Sequence, residues 1–261
     1  MNKVLLRLCL VLMAGFLFVP PALAFDHSHS LFDQLLHKNV VVKGSKSAVK
    51  YGALKDDPAR LNAYLDEVEK VSAAKFQSWN RNEQIAFLIN AYNALTIKLI
   101  LTKYPDLESI KDLGGFFSGP WKIEFFTLFG EKHHLDYIEH ELLRKNYKEP
   151  RVHFALVCAS ISCPPLRAEA YLPQKLDQQL DEAMKAFLGD PDRNRYDADK
   201  KVLYLSPIFK WFAEDFIKSK GSVAAFVAPW VTNDEAARRL IVSGKIDIVY
   251  LDYNWSLNKA E

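Results

Sequence analysis

Cysteine is nearly absent. The 261 residues hold three, and Cys9 lies inside an apolar N-terminal run. The remaining pair, Cys158 and Cys163, is too small for a disulfide framework of the kind that staples tiny secreted domains. A dominant charge is missing too. The 34 Lys and Arg side chains are balanced by 32 Asp and Glu, which leaves no footprint for nucleic acid and no basic patch for a membrane surface. There is no phosphate-cradling glycine loop, no dinucleotide fingerprint, no GxSxG and no HExxH, so no cofactor is expected. Past the N-terminus no segment is both long and uncharged enough to span a bilayer. The nearest, 85–101, carries Asn90, Asn93 and Lys98.

The chain opens MNKVLLRLCLVLMAGFLFVPPALAF. A charged start at Lys3 and Arg7, an apolar run over 8–19 and a small-residue box ending at Ala24 form a secretory leader. Cleavage after Ala24 is expected, giving a periplasmic or secreted protein with no stable membrane insertion. The leader carries two basic residues and no acidic one, so the rest is formally neutral. Residues 25–48 are read as a mobile N-terminal segment, with Phe25 to Ser30 a solvated tail. Residues 49–261 are read as one globular domain.

Apolar residues recur at helical spacing over 57–75 and again over 80–103. In the second segment Asn80 and Glu83 occupy capping-box positions, and QIAFLINAYNALTIKLIL is apolar almost all round, so this helix should be central and buried. Two short strands are expected around Phe129-Gly130. A helix should start at Asp136, with Glu139 in a capping-box position. RVHFALVC alternates like a strand over 152–158. Further helices are expected over 176–188 and after Ser206-Pro207, with a last one capped by Thr232, and strands at VLYLS and KIDIVYLDYNW. The pattern predicts an α+β (mixed α/β) fold: a helix-rich single domain with a small sheet packed on a buried central helix.

The candidate chemistry gathers in RVHFALVCASISCPPLR, Arg151 to Arg167. In an unbroken strand His153 and Cys158 point to opposite faces, so a direct His153–Cys158 pair is disfavoured. Cys163 precedes Pro164-Pro165, which suits a helix start. A cysteine there gains thiolate character from the backbone N–H groups; in an extended loop it is an inert packed thiol. His140 shares a helical face with Tyr137 and Arg144 and is either structural or a general base. Glu83, Asn90 and Asn93 form a polar stripe on the apolar helix. They either position a site or fasten neighbouring loops through backbone bonds. A Cys-x4-Cys pair is loosely spaced for zinc and no compact second pair follows, so no metal is expected.

Four blocks, LINAYNALTI, LDYIEHELLR, RVHFALVCASISCPPLR and YNWSLN, resemble the signature blocks of the domain of unknown function 547 family, over roughly 76–258. The resemblance implies a bacterial exported protein and brings no settled activity. The last block of the family carries aspartate where this chain has Asn254. Two functions remain open on the residues alone. One is a thiol-dependent hydrolase or acyl transferase acting on an amide, ester or thioester, with Cys158 or Cys163 as nucleophile and His140 or His153 as base. The other is a non-catalytic binding or scaffold domain with a Cys158–Cys163 disulfide. In either case the expected partner is an unidentified small-molecule or peptide ligand, not nucleic acid.

Overall fold

The computed structural model describes residues 24–115 and 118–260. The leader expected over 1–24 lies outside them apart from Ala24. In chain order the elements are α1 (Ser30–Asn39), β1 (Val40–Lys43), β2 (Lys46–Val49), α2 (Tyr51–Asp56), α3 (Ala59–Glu69), α4 (Ala73–Gln77), α5 (Arg81–Leu101), β3 (Phe126–Leu128), β4 (Glu131–His133), a π-helix (Tyr137–Arg144), α6 (Leu176–Leu188), β5 (Arg195–Asp197), β6 (Val202–Leu205), α7 (Ile208–Trp211), α8 (Ala213–Lys220), α9 (Val223–Val231), α10 (Glu235–Val242) and β7 (Asp247–Tyr250). The fold is helix-rich α+β, as the periodicity predicts.

The longest helix, α5, starts as expected. Asn80 Oδ1 accepts from the N–H groups of Asn82 and Glu83, and Glu83 closes the capping box on the Asn80 N–H. Nearly every later side chain on α5 is buried. Among the described residues it is the one helix long and apolar enough to cross a membrane. Its apolar surface is instead the centre of the first core, packed by α2, α3, the π-helix and a 3-10 turn at Pro173–Lys175.

A second core forms from α6 to α9 and β6. Phe154, Phe187, Phe209, Phe216 and Phe226 fill it. The largest sheet belongs here rather than on α5: β5 and β7 flank β6, one antiparallel and one parallel, and Leu203 and Leu205 of β6 are wholly buried in this core. The other two sheets are hairpins, β1–β2 and β3–β4. The β3–β4 turn falls at Phe129-Gly130, where both residues take positive φ.

Three local readings need correction. Residues 25–30 are packed, not a loose tail. The Phe25 ring lies 5.1 Å from that of Phe87 and 5.3 Å from that of Trp79. His29 is 1% exposed, with Nδ1 2.8 Å from the Tyr64 hydroxyl, and burial pushes its imidazole down to about 3. The helix expected over 57–75 breaks at Ser72, whose hydroxyl caps α4. The last helix is capped by Asp234, not by Thr232, because the Asp234 carboxylate reaches the Ala236 N–H.

Candidate functional site

The stretch expected as a strand over 152–158 opens as a 3-10 turn, Pro150–Phe154. Pro150 presets its first position, and the Glu149 carboxylate accepts from the Arg151 N–H. Beyond the turn, the groups that would pair in a sheet are taken by a side chain. Asn93 Nδ2 donates to the Ala155 carbonyl at 2.9 Å, and Asn93 Oδ1 accepts from the Val157 N–H at 2.9 Å. Strand parity therefore does not apply, and His153 and Cys158 line the same cleft. Asn90 treats Tyr171 in the same two-point way, at 2.8 and 2.9 Å. The buried amides fasten loops. Glu83 stays in its capping box, facing His27 at 4.0 Å, and is not brought to the cleft.

Cys158 and Cys163 are joined as a disulfide, with Cα atoms 6.1 Å apart. The loop between them doubles back through Ala159, at φ 61°. No helix starts at Pro164-Pro165, so the helix-terminus argument for a thiolate at Cys163 fails. Cys163 is 3% exposed and Cys158 is half-buried. The Cys158 N–H donates to Cys163 Sγ at 2.7 Å, and the Tyr253 hydroxyl lies 3.2 Å from Cys158 Sγ. A C-terminal strap holds the loop. The Ile161 N–H donates to the Ser256 carbonyl, the Ser162 N–H to that of Asn254, and the Asn258 N–H to that of Ala159. The same strap carries Tyr253 and Trp255 into the cleft.

A hydrogen-bonded relay forms the adjoining wall. Arg144 Nε donates to Asp215 Oδ2 at 2.6 Å, and His153 Nε2 lies 2.8 Å from the same oxygen. Against the cost of burial, the bonds from His153 and Arg144 hold the Asp215 carboxyl below its usual range. An ionised carboxylate only accepts, so His153 carries its proton on Nε2. Its Nδ1 is then a buried lone pair without a hydrogen-bond partner, 4.0 Å from Glu139 Oε1. Arg144 also donates to His140 Nδ1 at 2.8 Å. A guanidinium cannot accept, so His140 is neutral with its proton on Nε2, 3.7 Å from Asp136. Burial lowers both histidines further, opposed by Asp136 at His140 and by Asp215 at His153.

The expected capping box at Asp136 does not form: the Asp136 side chain makes no capping bond, and Glu139 turns inward. Burial, with Asp136 nearby, pushes the Glu139 carboxyl up to about 7, against the Tyr92 hydroxyl that donates to it at 3.2 Å. Glu139 was legible only as a cap. Its position beside Ile138 and Leu142-Leu143 was the available hint of burial. Asp215, inside WFAEDFI, gave no local signal.

Asp136, Glu139, His140, Arg144, His153 and both cysteines line a cleft of about 330 Å³ at the seam of the two cores, and Asp215 reaches it only through its bonds to Arg144 and His153. The cleft contains all four expected chemistry-bearing residues, Cys158, Cys163, His140 and His153. Sequence reading missed Glu139, Asp136 and the aromatic wall of Trp121, Trp211, Tyr253 and Trp255. Among the described residues no group of three His, Cys, Asp or Glu side chains could hold a metal ion.

The family described as "Protein of unknown function, DUF547" matches residues 76–188. Over that span the chain is a DUF547 member. No curated protein and no solved structure matches it. The DUF547 span supplies Asn90, Asn93, Glu139, His140, His153 and both cysteines. Asp215 and the wall of Trp211, Tyr253 and Trp255 come from beyond it.

Proposed function

We propose that this DUF547 protein is exported and performs thiol–disulfide exchange at Cys158. One observation carries the reading: the more exposed sulfur of the disulfide lines a cleft that also holds Glu139, His140 and His153. The partner is a small molecule or peptide bearing thiols. Its thiolate attacks Cys158 Sγ, the disulfide breaks, and the electron pair goes to Cys163 Sγ. The Cys158 N–H already points at that sulfur and stabilises the thiolate as it forms. A second substrate thiol attacks the substrate sulfur of the mixed disulfide and expels Cys158. The substrate leaves oxidised and the protein holds two thiols, so two electrons and two protons have moved. Glu139, whose carboxyl is raised to about 7, is a group in the cleft suited to carrying a proton at neutral pH.

A thiol-dependent hydrolase or acyl transferase is the second reading. His140 favours it, since its side chain is 38% exposed and faces Asp136. That reading requires the reduced protein. The side-chain hydrogen-bond partners of Cys158 Sγ are the hydroxyls of Ser160 and Tyr253, not a histidine, so the base would have to approach on substrate binding.

Intact mass of the protein from its native host, without reduction, tests export and redox state together. The expected species begins at Phe25, lacks two hydrogens and takes up no alkylating reagent. An intact Met1 in soluble protein rules out export. Incubation with glutathione should then give a mixed disulfide at Cys158. A pair that stays closed under glutathione is structural, and the exchange reading fails. A covalent acyl adduct on Cys158 of the reduced protein, formed from a simple thioester, would instead establish the second reading.

A further inference from the structure

We propose that the aromatic wall of the cleft is a subsite for a small organic ammonium group, quaternary or fully substituted. This goes beyond the thiol chemistry and does not depend on it. Trp211 is 46% exposed and stacks on Trp255 at 26°, with centroids 5.6 Å apart. Tyr253 lies 4.4 Å from Trp255, and Trp121 meets it edge-on at 5.7 Å. Four rings in one contiguous group therefore line a cleft whose lining also holds the carboxyl groups of Asp136 and Glu139.

An indole face is electron-rich and attracts a cation set over it, and the attraction grows as water is excluded. Trp255 already shows this preference, because the Lys111 ammonium sits 4.0 Å from its ring centroid. Among the described residues the one fixed cation lining the cleft is Arg144, and its guanidinium is spent on Asp215 and lies 5.0 Å over the Phe212 ring. Lys111, over Trp255, is not among the lining residues, so the charge that the described lining leaves for a ligand is negative, in a cleft that also presents aromatic rings.

Other ligand classes fit less well. An inorganic cation needs several converging oxygens, and the described residues offer no such cluster. An anion would meet Asp136 with Arg144 already paired. A sugar needs a convergent array of free donors and acceptors, yet His140 is bonded to Arg144 and Glu139 to Tyr92. A substituted ammonium asks only for ring faces and a nearby negative charge. The cleft, at about 330 Å³, has room for such a headgroup.

The test is calorimetric titration of the full oxidised chain with choline and with 3,3-dimethylbutan-1-ol, its neutral carbon isostere. The pair differs in charge and hardly in shape. Choline should bind roughly tenfold tighter. Trp211→Ala, at an exposed position, and Asp136→Asn should each weaken choline about fivefold or more, by loss of one ring face or one charge. Both variants should keep the parent thermal unfolding curve within a few degrees. Equal affinity for the two ligands overturns the proposal and makes the wall a plain apolar pocket. Absence of choline binding by folded protein overturns it as well. So does choline binding that survives Trp211→Ala, because the site would then lie elsewhere. None of these outcomes bears on glutathione exchange at Cys158, so failure of the subsite and failure of the thiol reading are separable.

Discussion

Asn93→Leu should lower stability by roughly 2–6 kcal/mol, from two buried backbone groups at about 1–3 kcal/mol each. Leucine has the same branched outline as asparagine, with bulkier methyl groups, but neither donates nor accepts. The Ala155 carbonyl and the Val157 N–H would both lose their partner in a place water does not reach: Asn93 is 2% exposed, Ala155 1% and Val157 4%. Cys158 follows Val157 directly, so the loss also loosens the backbone that aims its sulfur at the cleft. Asn90→Leu provides the comparison. It strands the Tyr171 N–H and carbonyl, at a similar cost in stability, but leaves the Cys158 backbone held by Asn93. Thermal unfolding should therefore fall in both variants, while the rate at which a dithiol opens the Cys158–Cys163 bond should change mainly in Asn93→Leu. Unfolding curves equal to the parent in either variant would mean that the amide bonds contribute nothing.

The same two asparagines show what the sequence can and cannot convey. An apolar helix with amides on one stripe is visible as a conflict, since burying an amide without partners is costly. The cap at Asn80 and the core position of α5 follow from that local pattern. The partner of each amide does not, because Ala155, Val157 and Tyr171 lie 62 to 81 residues away and present only backbone. Alternation over 152–158 was a fair strand signal, but the turn set by Glu149-Pro150 and the bonds from Asn93 satisfy the backbone without a neighbouring strand. The first wall of the cleft was legible because its cysteines and histidines stand out by type. The second wall was not. Trp211, Asp215, Tyr253 and Trp255 look like ordinary residues of an amphipathic helix and a C-terminal segment. The return of the chain past the Cys158–Cys163 loop brings in Tyr253 and Trp255, and the helices of the second core bring in Trp211 and Asp215. Phe25 and His29 were misread for a related reason, since nothing local announces that Tyr64, Trp79 and Phe87 cover them.

Glu139→Gln should stabilise the protein by up to about 3 kcal/mol above neutral pH and leave it unchanged near pH 4. Burial, reinforced by Asp136, raises the folded carboxyl from 4.5 to about 7, and each pH unit of difference is worth about 1.4 kcal/mol. Below pH 4.5 the group is protonated in both the folded and the unfolded chain, so it adds no pH dependence. Between 4.5 and about 7 the unfolded chain has lost the proton while the folded chain still holds it. The folded state then binds more protons, and stability falls as pH rises. Above about 7 both are ionised and the loss levels off at its full value. Glutamine removes the titration yet keeps an oxygen to accept from the Tyr92 hydroxyl. The measurement is the difference in unfolding free energy between variant and parent from pH 4 to pH 8, in which titrations common to both chains cancel. A curve rising across that window and flat above it is expected, and a flat line throughout would place Glu139 in contact with water. The same proton matters for chemistry. A carboxyl that is about half protonated at pH 7, 4.0 Å from the free Nδ1 of His153, can both give and take a proton in the cleft. Glutamine can do neither. The pH dependence of glutathione exchange at Cys158 should accordingly lose its inflection near 7 in Glu139→Gln, while the variant remains folded and the disulfide intact.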